Sequence, residues 1–305
     1  MPDPALFELD MIHAPSARSR LVTPPVNSRI VVGDTRQVLH TLPGNAFRTC
    51  ITSPPYWGLR DYDVERQIGS EEDVADYVSS LRDVFDEVRR VLCPDGTLWL
   101  NLGDSYTSGN RKWRAPDKKN GARAMDYRPP TPTGLKPKDL IGVPWRVAFA
   151  LQESGWYLRS DIIWHKPNCQ PESVRDRPTQ AHEYIFLFSK SQDYFYDYAA
   201  VQEPAESSRS RRNRRSVWSV NTAPFTPAHF ATFPPELVTL CLLAGSEKGD
   251  LVLDPFFGAG TTGLVAELQE RAFVGVELKR DYAEMAADRL GWPYGRIEEF
   301  QQPEA

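Results

Sequence analysis

The chain has 305 residues, 41% of them hydrophobic, enough to bury a substantial core as one large domain or two small ones. Its 36 Lys and Arg against 41 Asp and Glu give a net charge of −5, which excludes a uniformly basic protein, so any nucleic-acid surface must be local. The cysteines Cys50, Cys93, Cys169 and Cys241 form no CxxC pair, so neither a metal cage nor a disulfide framework is expected, and reduced thiols point to the cytoplasm.

The opening "MPDPALFELD" has no basic segment followed by an apolar run, so it does not read as a secretory signal. No apolar stretch approaches the ~20 residues needed to span a bilayer, and no membrane partner is expected. Residues 1–28, with several Pro, Ser and Arg, are expected to form an arm. "RIVVGD" (29–34) then predicts a short buried strand, "TRQVLHTL" a short helix, and "FRTCITS" (47–53) a second strand. Residues 74–92 carry Val74, Tyr77, Val78, Leu81, Val84, Phe85, Val88, Val91 and Leu92 at helical spacing. "CPDG" should end that helix, and "TLWLNLG" (97–103) is a buried strand.

Residues 105–138 break the regularity with Pro, Gly, Lys and Arg. A helix resumes over 144–156 with Pro144 near its first turn, and "YLRSDIIWHKP" and "EYIFLFSKS" (183–191) give two strands. A second irregular, Arg-rich piece covers about 200–228. The helix "PPELVTLCLLAG" (234–245), the strand in "GDLVLDPFFGAG", the helix "TTGLVAELQERA", the strand "FVGVEL" and the helix "RDYAEMAADRL" follow. Alternating strands and helices without an internal repeat predict an α/β fold with a mostly parallel sheet. One domain over 29–299 is expected, interrupted by insertions at about 105–138 and 200–228.

"LVLDPFFGAGTTG" runs a strand into a glycine turn and a helix start, and Gly258, Gly260 and Gly263 match G-x-G-x-x-G. Such a turn brings backbone N–H groups and a helix N-terminus close to a ligand. Glu277 ends the next strand, where a carboxylate can accept both hydroxyls of a ribose. A nicotinamide dinucleotide is the first rival, but its fingerprint opens a βαβ unit, whereas only about 45 residues follow Gly260. Asp254, just before the turn, suits a ligand with a positive centre such as an amino acid's ammonium. These features favour S-adenosylmethionine. Thr261 and Thr262 could bond its carboxylate or cap the helix, and Phe256 stands within the same turn.

The segment "TSPPYW" (52–57), followed far downstream by "DPFFGAGTT", resembles the exocyclic-amino DNA methyltransferases in the circular order that puts the catalytic motif first, the β arrangement. "VVGD", "DIIWHKPN", "RPTQAHEYIFLFSKS" and "HFATFPPEL" extend the resemblance over roughly 29–290. It implies the Rossmann-like, circularly permuted S-adenosylmethionine-dependent methyltransferase fold, with a mostly parallel seven-stranded sheet and helices on both faces. In this family Asp-Pro-Pro-Tyr usually accompanies adenine N6 and Ser-Pro-Pro-Tyr cytosine N4; this chain has Ser53. The resemblance places Asp34 at the cofactor's adenine amino group, although Asp34 also reads as a helix N-cap. Phe233 with Pro234 resembles the segment that flanks the cofactor, and core packing is a comparable reading for Phe233.

The chemistry accounts for the motif. An exocyclic amine is a poor nucleophile because its lone pair is conjugated into the ring. Ser53 Oγ and the Pro54 carbonyl are candidate acceptors that would localise that lone pair, and Pro54 and Pro55 fix the backbone that presents them. Tyr56 would stack on a base drawn out of the duplex, and Trp57 would extend that wall or pack beneath it. The Pro-Cys dipeptide of carbon-5 cytosine methyltransferases is absent. His165 and Lys166 suit contacts around the flipped nucleotide, and His182 matches the family.

Two basic stretches offset the acidic total: Arg111, Lys112, Arg114, Lys118, Lys119, Arg123 and Arg128 in the first insertion, and Arg209, Arg211, Arg212, Arg214 and Arg215 in the second. Such runs are usually solvated loops, but here they interrupt a regular domain whose reaction needs a polyanion to dock. Double-stranded DNA is the expected partner, with a cognate restriction endonuclease as a further one; monomer and homodimer both stay open. The expected activity is methylation of cytosine N4, against adenine N6 and a non-catalytic nucleic-acid-binding scaffold.

Overall fold

The computed structural model describes residues 27–59, 64, 67–108, 129–205, 210–222, 233–292 and 296–301. Most of the arm (1–26), Arg111, Lys112, Arg114, Lys118, Lys119, Arg123, Arg128 and Arg209 lie outside the described residues.

Strands β1 (Arg29–Val32), β2 (Phe47–Thr52), β3 (Leu92–Leu102), β4 (Tyr157–His165), β5 (His182–Ser189), β8 (Val217–Ser219), β9 (Leu251–Asp254), β10 (Ala272–Glu277) and β11 (Ile297–Glu299) form one sheet in the order β11-β1-β10-β9-β2-β3-β5-β4-β8. Every neighbouring pair is parallel except those made by β5, which runs against both β3 and β4. The seven strands from β1 to β4 are the expected sheet. The structure adds β11 and β8, three residues each, at its two edges. Two-residue β6 (Glu203–Pro204) and β7 (Arg211–Arg212) pair separately.

Helices α1 (Thr35–Thr41), α2 (Val74–Val91) and α3 (Val143–Glu153) cover one face, where Leu39, Leu81, Phe85, Val88 and Val147 join the core. Helices α4 (Pro235–Gly245), α5 (Thr261–Leu268) and α6 (Arg280–Leu290) cover the other, through Leu237, Leu242, Val265, Ala283 and Ala286. The spacing in α2 does what the sequence predicts: Val74, Tyr77, Leu81, Val84, Phe85, Val88 and Val91 are buried, and Asp73 caps the helix by accepting from Ala75 N at 2.8 Å.

One expectation changes. "CPDG" does not separate helix from strand, because β3 begins at Leu92 directly after α2. Its pairing with β2 jumps from Phe47–Leu92 to Thr49–Thr97, so Cys93 to Gly96 form a bulge. Among the described residues no helix is long and apolar enough to cross a membrane.

The topology determines where a ligand can sit. From β9 the chain crosses through α5 to β10 on one side; from β2 it crosses through α2 to β3 on the other. Connections diverging from neighbouring parallel strands open a crevice beyond their C-terminal ends. There β2 runs into Ser53-Pro54-Pro55-Tyr56 and β9 into the glycine turn.

Candidate active site

The two motifs are joined by a direct bond across 202 residues of chain: Thr52 Oγ1 donates to Asp254 Oδ1 at 2.7 Å. Thr262 Oγ1 donates to Asp254 Oδ2 at 2.7 Å and lies 3.3 Å from the Ile51 carbonyl. Phe256 N adds a third donor to Asp254 at 3.1 Å. Asp254 is only 1% exposed, and burial raises its pKa to about 6. The Asp254 carboxylate faces inward and ties the catalytic strand to the glycine turn. Thr262 likewise points inward. Thr261, also buried, accepts from Arg289 Nη1 at 2.9 Å; neither threonine side chain caps α5, whose N-cap is Gly260.

Gly258 and Gly260 adopt φ of +51° and +74°, the left-handed region open to glycine at little cost. Glu277 closes β10 beside them, its Oε2 accepting from Gly258 N at 2.8 Å and its Oε1 from Lys279 N at 2.9 Å. Burial lifts its pKa to about 7. Phe256 is half-buried, edge-on to Phe85 at 6.4 Å, whereas Phe257 stacks on Phe273 in the core. Phe233 is half-buried and packs against the α4–α6 core. Asp34 caps α1, accepting from Arg36 N at 2.9 Å. Although burial opposes it, the Arg36 guanidinium and backbone N–H hold the Asp34 carboxyl below its usual range.

At the catalytic corner Ser53 is half-buried. Tyr77 of α2 donates to the Pro55 carbonyl at 2.8 Å, while the Pro54 carbonyl has no partner among the described residues. Trp57 packs beneath the corner: it is buried and its Nε1 donates to the Glu71 carbonyl at 2.9 Å. The Tyr56 hydroxyl donates to Glu183 Oε2 at 2.8 Å and lies 3.2 Å from Asn101 Oδ1 and 3.5 Å from Ser53 Oγ. A Cβ at Gly103 would stand 2.6 Å from Tyr56 Cε2, so bare backbone at the end of β3 makes room for the ring. Burial first, then the Glu183 charge, push the Tyr56 phenol well above its ordinary range. Asn101 and Glu183 did not emerge from the sequence. His165 Nδ1 lies 3.0 Å from Ser219 Oγ across the β4–β8 pair, and His182 packs edge-on to Tyr184.

The N6/N4 methyltransferase family model, described as DNA methylase, matches residues 47–288 and so takes in both motifs. The chain belongs to the N6/N4 DNA methylase family. It is an S-adenosylmethionine-dependent DNA methyltransferase acting on an exocyclic amine. Similar proteins include the Type II methyltransferases M.XycI of Xanthomonas campestris pv. cyanopsidis, 59% identical over 280 residues (90% of this chain, 93% of that one), and M.SmaI of Serratia marcescens, 59% identical over 263 residues (86% and 90%). Among solved structures, PvuII DNA methyltransferase (cytosine-N4-specific) shares the fold at TM-score 0.65 and 23% identity over 87% of each chain. A putative DNA modification methylase of Thermus thermophilus, solved in complex with S-adenosyl-L-methionine, matches at TM-score 0.61 and 26% identity over 91% of this chain and all of that one.

The site of this DNA methylase suits that cofactor. A Cβ at Gly258 would meet nothing closer than 4.0 Å, leaving open ground over the turn. A buried carboxylate that accepts backbone N–H groups and keeps acceptor capacity for a ribose hydroxyl stands beside that ground.

Proposed function

We propose that this protein methylates the exocyclic N4 of a cytosine extruded from duplex DNA, in the cytoplasm, as the modification half of a restriction–modification pair. The observation that carries the reading is Ser53: a neutral hydroxyl, not a carboxylate, follows the residue that bonds the cofactor strand. Nucleoside mass spectrometry of DNA incubated with enzyme and S-adenosylmethionine should find N4-methylcytosine; N6-methyladenine alone would transfer the assignment to adenine.

Ser53 Oγ and the Pro54 carbonyl accept the two amine hydrogens and turn the nitrogen lone pair out of conjugation. S-adenosylmethionine, when bound, would supply a methyl group on a positively charged sulfur that can take back the bonding electron pair. Two prolines hold the acceptors still and Tyr77 fixes the corner from below, so alignment needs no reorganisation at the moment of transfer. Tyr56 holds the extruded base, and the amine's surplus proton leaves through Ser53 or solvent.

For the cofactor, Glu277 takes the ribose hydroxyls, Asp34 the adenine edge, and Phe233 and Phe256 flank the ring; Gly258, Gly260, Thr261 and Thr262 shape the turn beneath. With its pKa near 7, Glu277 is part-protonated in the ligand-free protein at neutral pH. Two hydroxyl donors favour the ionised form, so binding must expel a proton. Calorimetry near pH 7, repeated in buffers of different ionisation enthalpy, should show net proton release and an affinity that rises from about pH 6 to 8. Glu277→Gln should bind more weakly and release no proton.

The second insertion meets DNA. Four of its arginines are tied into the loop: Glu203 Oε1 accepts from Arg212 Nε at 2.9 Å and Arg215 Nε at 2.7 Å, Arg214 Nε donates to the Val201 carbonyl at 2.8 Å, and Arg211 Nη2 to the Gln202 carbonyl at 2.7 Å. Arg211 and Arg215 are exposed and suit phosphate; half-buried Arg214 holds the loop. Replacing Arg211 and Arg215 by alanine should reduce the slope of log affinity against log salt by about 1–2. An unchanged slope removes this loop from the interface. Arg111, Lys112, Arg114, Lys118, Lys119 and Arg209 are proposed as further phosphate contacts.

A further inference from the structure

The C-terminal ends of β2, β3 and β4 and the N-terminal end of antiparallel β5 lie along one edge of the sheet. Each contributes one polar side chain to a cluster behind Ser53: Tyr56, Asn101, Lys166 and Glu183. Glu183 Oε2 accepts from the Tyr56 hydroxyl at 2.8 Å and from Asn101 Nδ2 at 3.2 Å, and its Oε1 pairs with the Lys166 ammonium. Asn101 Nδ2 also donates to the Tyr184 carbonyl at 3.1 Å, and Lys166 Nζ lies 4.2 Å from the centroid of Trp164. The side chains of Lys166 and Glu183 are 16% and 17% exposed, so the pair is sheltered and held from several sides.

The donors and acceptors impose a direction. An ionised carboxylate only accepts, and Tyr56 has a single proton to give. With that proton directed to Glu183, the shorter of its two contacts, the phenol oxygen is left as an acceptor facing Ser53 Oγ, 3.5 Å away. Ser53 then turns its own proton toward Tyr56, and its lone pairs face the crevice. A serine hydroxyl is otherwise free to rotate and could present a proton to the amine, which is the wrong polarity for the reaction.

We propose that Glu183, fixed by Lys166 and Asn101, is a positioning residue that acts through Tyr56 to orient Ser53 as a hydrogen-bond acceptor. This rests on the reading of Ser53 as an acceptor for the target amine. Glu183→Gln upsets the direction without removing bulk: the amide gives its oxygen to Lys166, which can only donate, and so turns an N–H toward Tyr56. Tyr56→Phe deletes the relay atom and leaves the Lys166–Glu183 pair in place.

The test measures single-turnover methyl transfer to duplex DNA, with cofactor and DNA affinities measured separately by calorimetry, for Ser53→Ala, Tyr56→Phe, Glu183→Gln and the Tyr56→Phe/Glu183→Gln double variant. Tyr56→Phe and Glu183→Gln should each slow transfer about tenfold with both affinities unchanged, the scale of one oriented hydrogen bond. The double variant should be no slower than the slower single one, because both break the same chain. Multiplying losses, unchanged transfer, or losses matched by weaker binding would overturn the proposal. Should Glu183→Gln not fold, Tyr56→Phe decides: unchanged transfer overturns it and a tenfold loss at unchanged affinity upholds it. Full turnover in Ser53→Ala would instead overturn the reading on which the proposal rests.

Discussion

Replacing Ser53 with alanine should lower the single-turnover rate of methyl transfer by about a hundredfold or more, the range in which a directly engaged proton-handling group acts. Cofactor affinity should be unchanged, because among the described residues the Ser53 hydroxyl bonds toward Tyr56 and not to the glycine turn. The half-buried hydroxyl contributes little to packing, so thermal unfolding should move by no more than a degree or two. A separation of rate from affinity is the expected signature, since interactions made chiefly in the transition state alter turnover and not ground-state binding. Equal turnover in this variant would remove Ser53 from the chemistry and leave the Pro54 carbonyl as the only acceptor at the corner.

The second large effect is expected at Asp254. Substituting alanine strands the Thr52 hydroxyl and the Phe256 N–H and leaves a cavity between β2 and α5. Together these should cost about 2–4 kcal/mol of stability and weaken cofactor binding at least tenfold. Equilibrium denaturation and calorimetry measure the two losses. Asp254→Asn should be milder, since an amide still offers one acceptor to a threonine hydroxyl that can rotate. The sign of the pH dependence follows from the direction of the pKa. Burial raises Asp254 to about 6, above an ordinary carboxylate near 4, so the fold favours the protonated form. Its stabilising contribution is complete below about pH 4 and is lost as pH rises through 6. Asp254→Asn should abolish that part of the pH profile while leaving the part due to Glu277.

Much of this site is legible in the sequence because glycine, proline and buried apolar runs carry strong local signals. The strand–turn–helix around Gly258, the diproline corner and the spacing of α2 each constrain the backbone within a few residues. The three-residue strands β8 and β11 show no such periodicity, and pairing alone makes them strands. The bulge at Cys93 to Gly96 reads as a helix terminator because Pro-Asp-Gly suits either role. Sequence gives Asp254 its place at a strand end but not which way its carboxylate faces; that is determined by Thr52 and Thr262, 202 and 8 residues away.

Glu183 is the less visible residue in "AHEYIF", where His182 attracts attention. A signal is nonetheless present. A carboxylate opening an otherwise apolar strand cannot be buried without partners, and Lys166 stands opposite at the end of a strand that pairs with it. Asn101, inside "TLWLNLG", carries the same kind of signal, a lone amide in a run of buried apolar residues. Neither partner can be named without the order of strands, because Tyr56, Asn101, Lys166 and Glu183 meet only across β2, β3, β5 and β4.

The account depends on the diproline corner and the glycine turn serving one reaction centre. A crystal structure of the protein with bound S-adenosylmethionine tests this most directly. The sulfonium methyl should open onto the space beside Ser53 Oγ and the Pro54 carbonyl, so that an amine held by both would stand about 3–3.5 Å from it. A methyl group turned away from that space, with the Thr52–Asp254 bond between it and Ser53, would contradict the account.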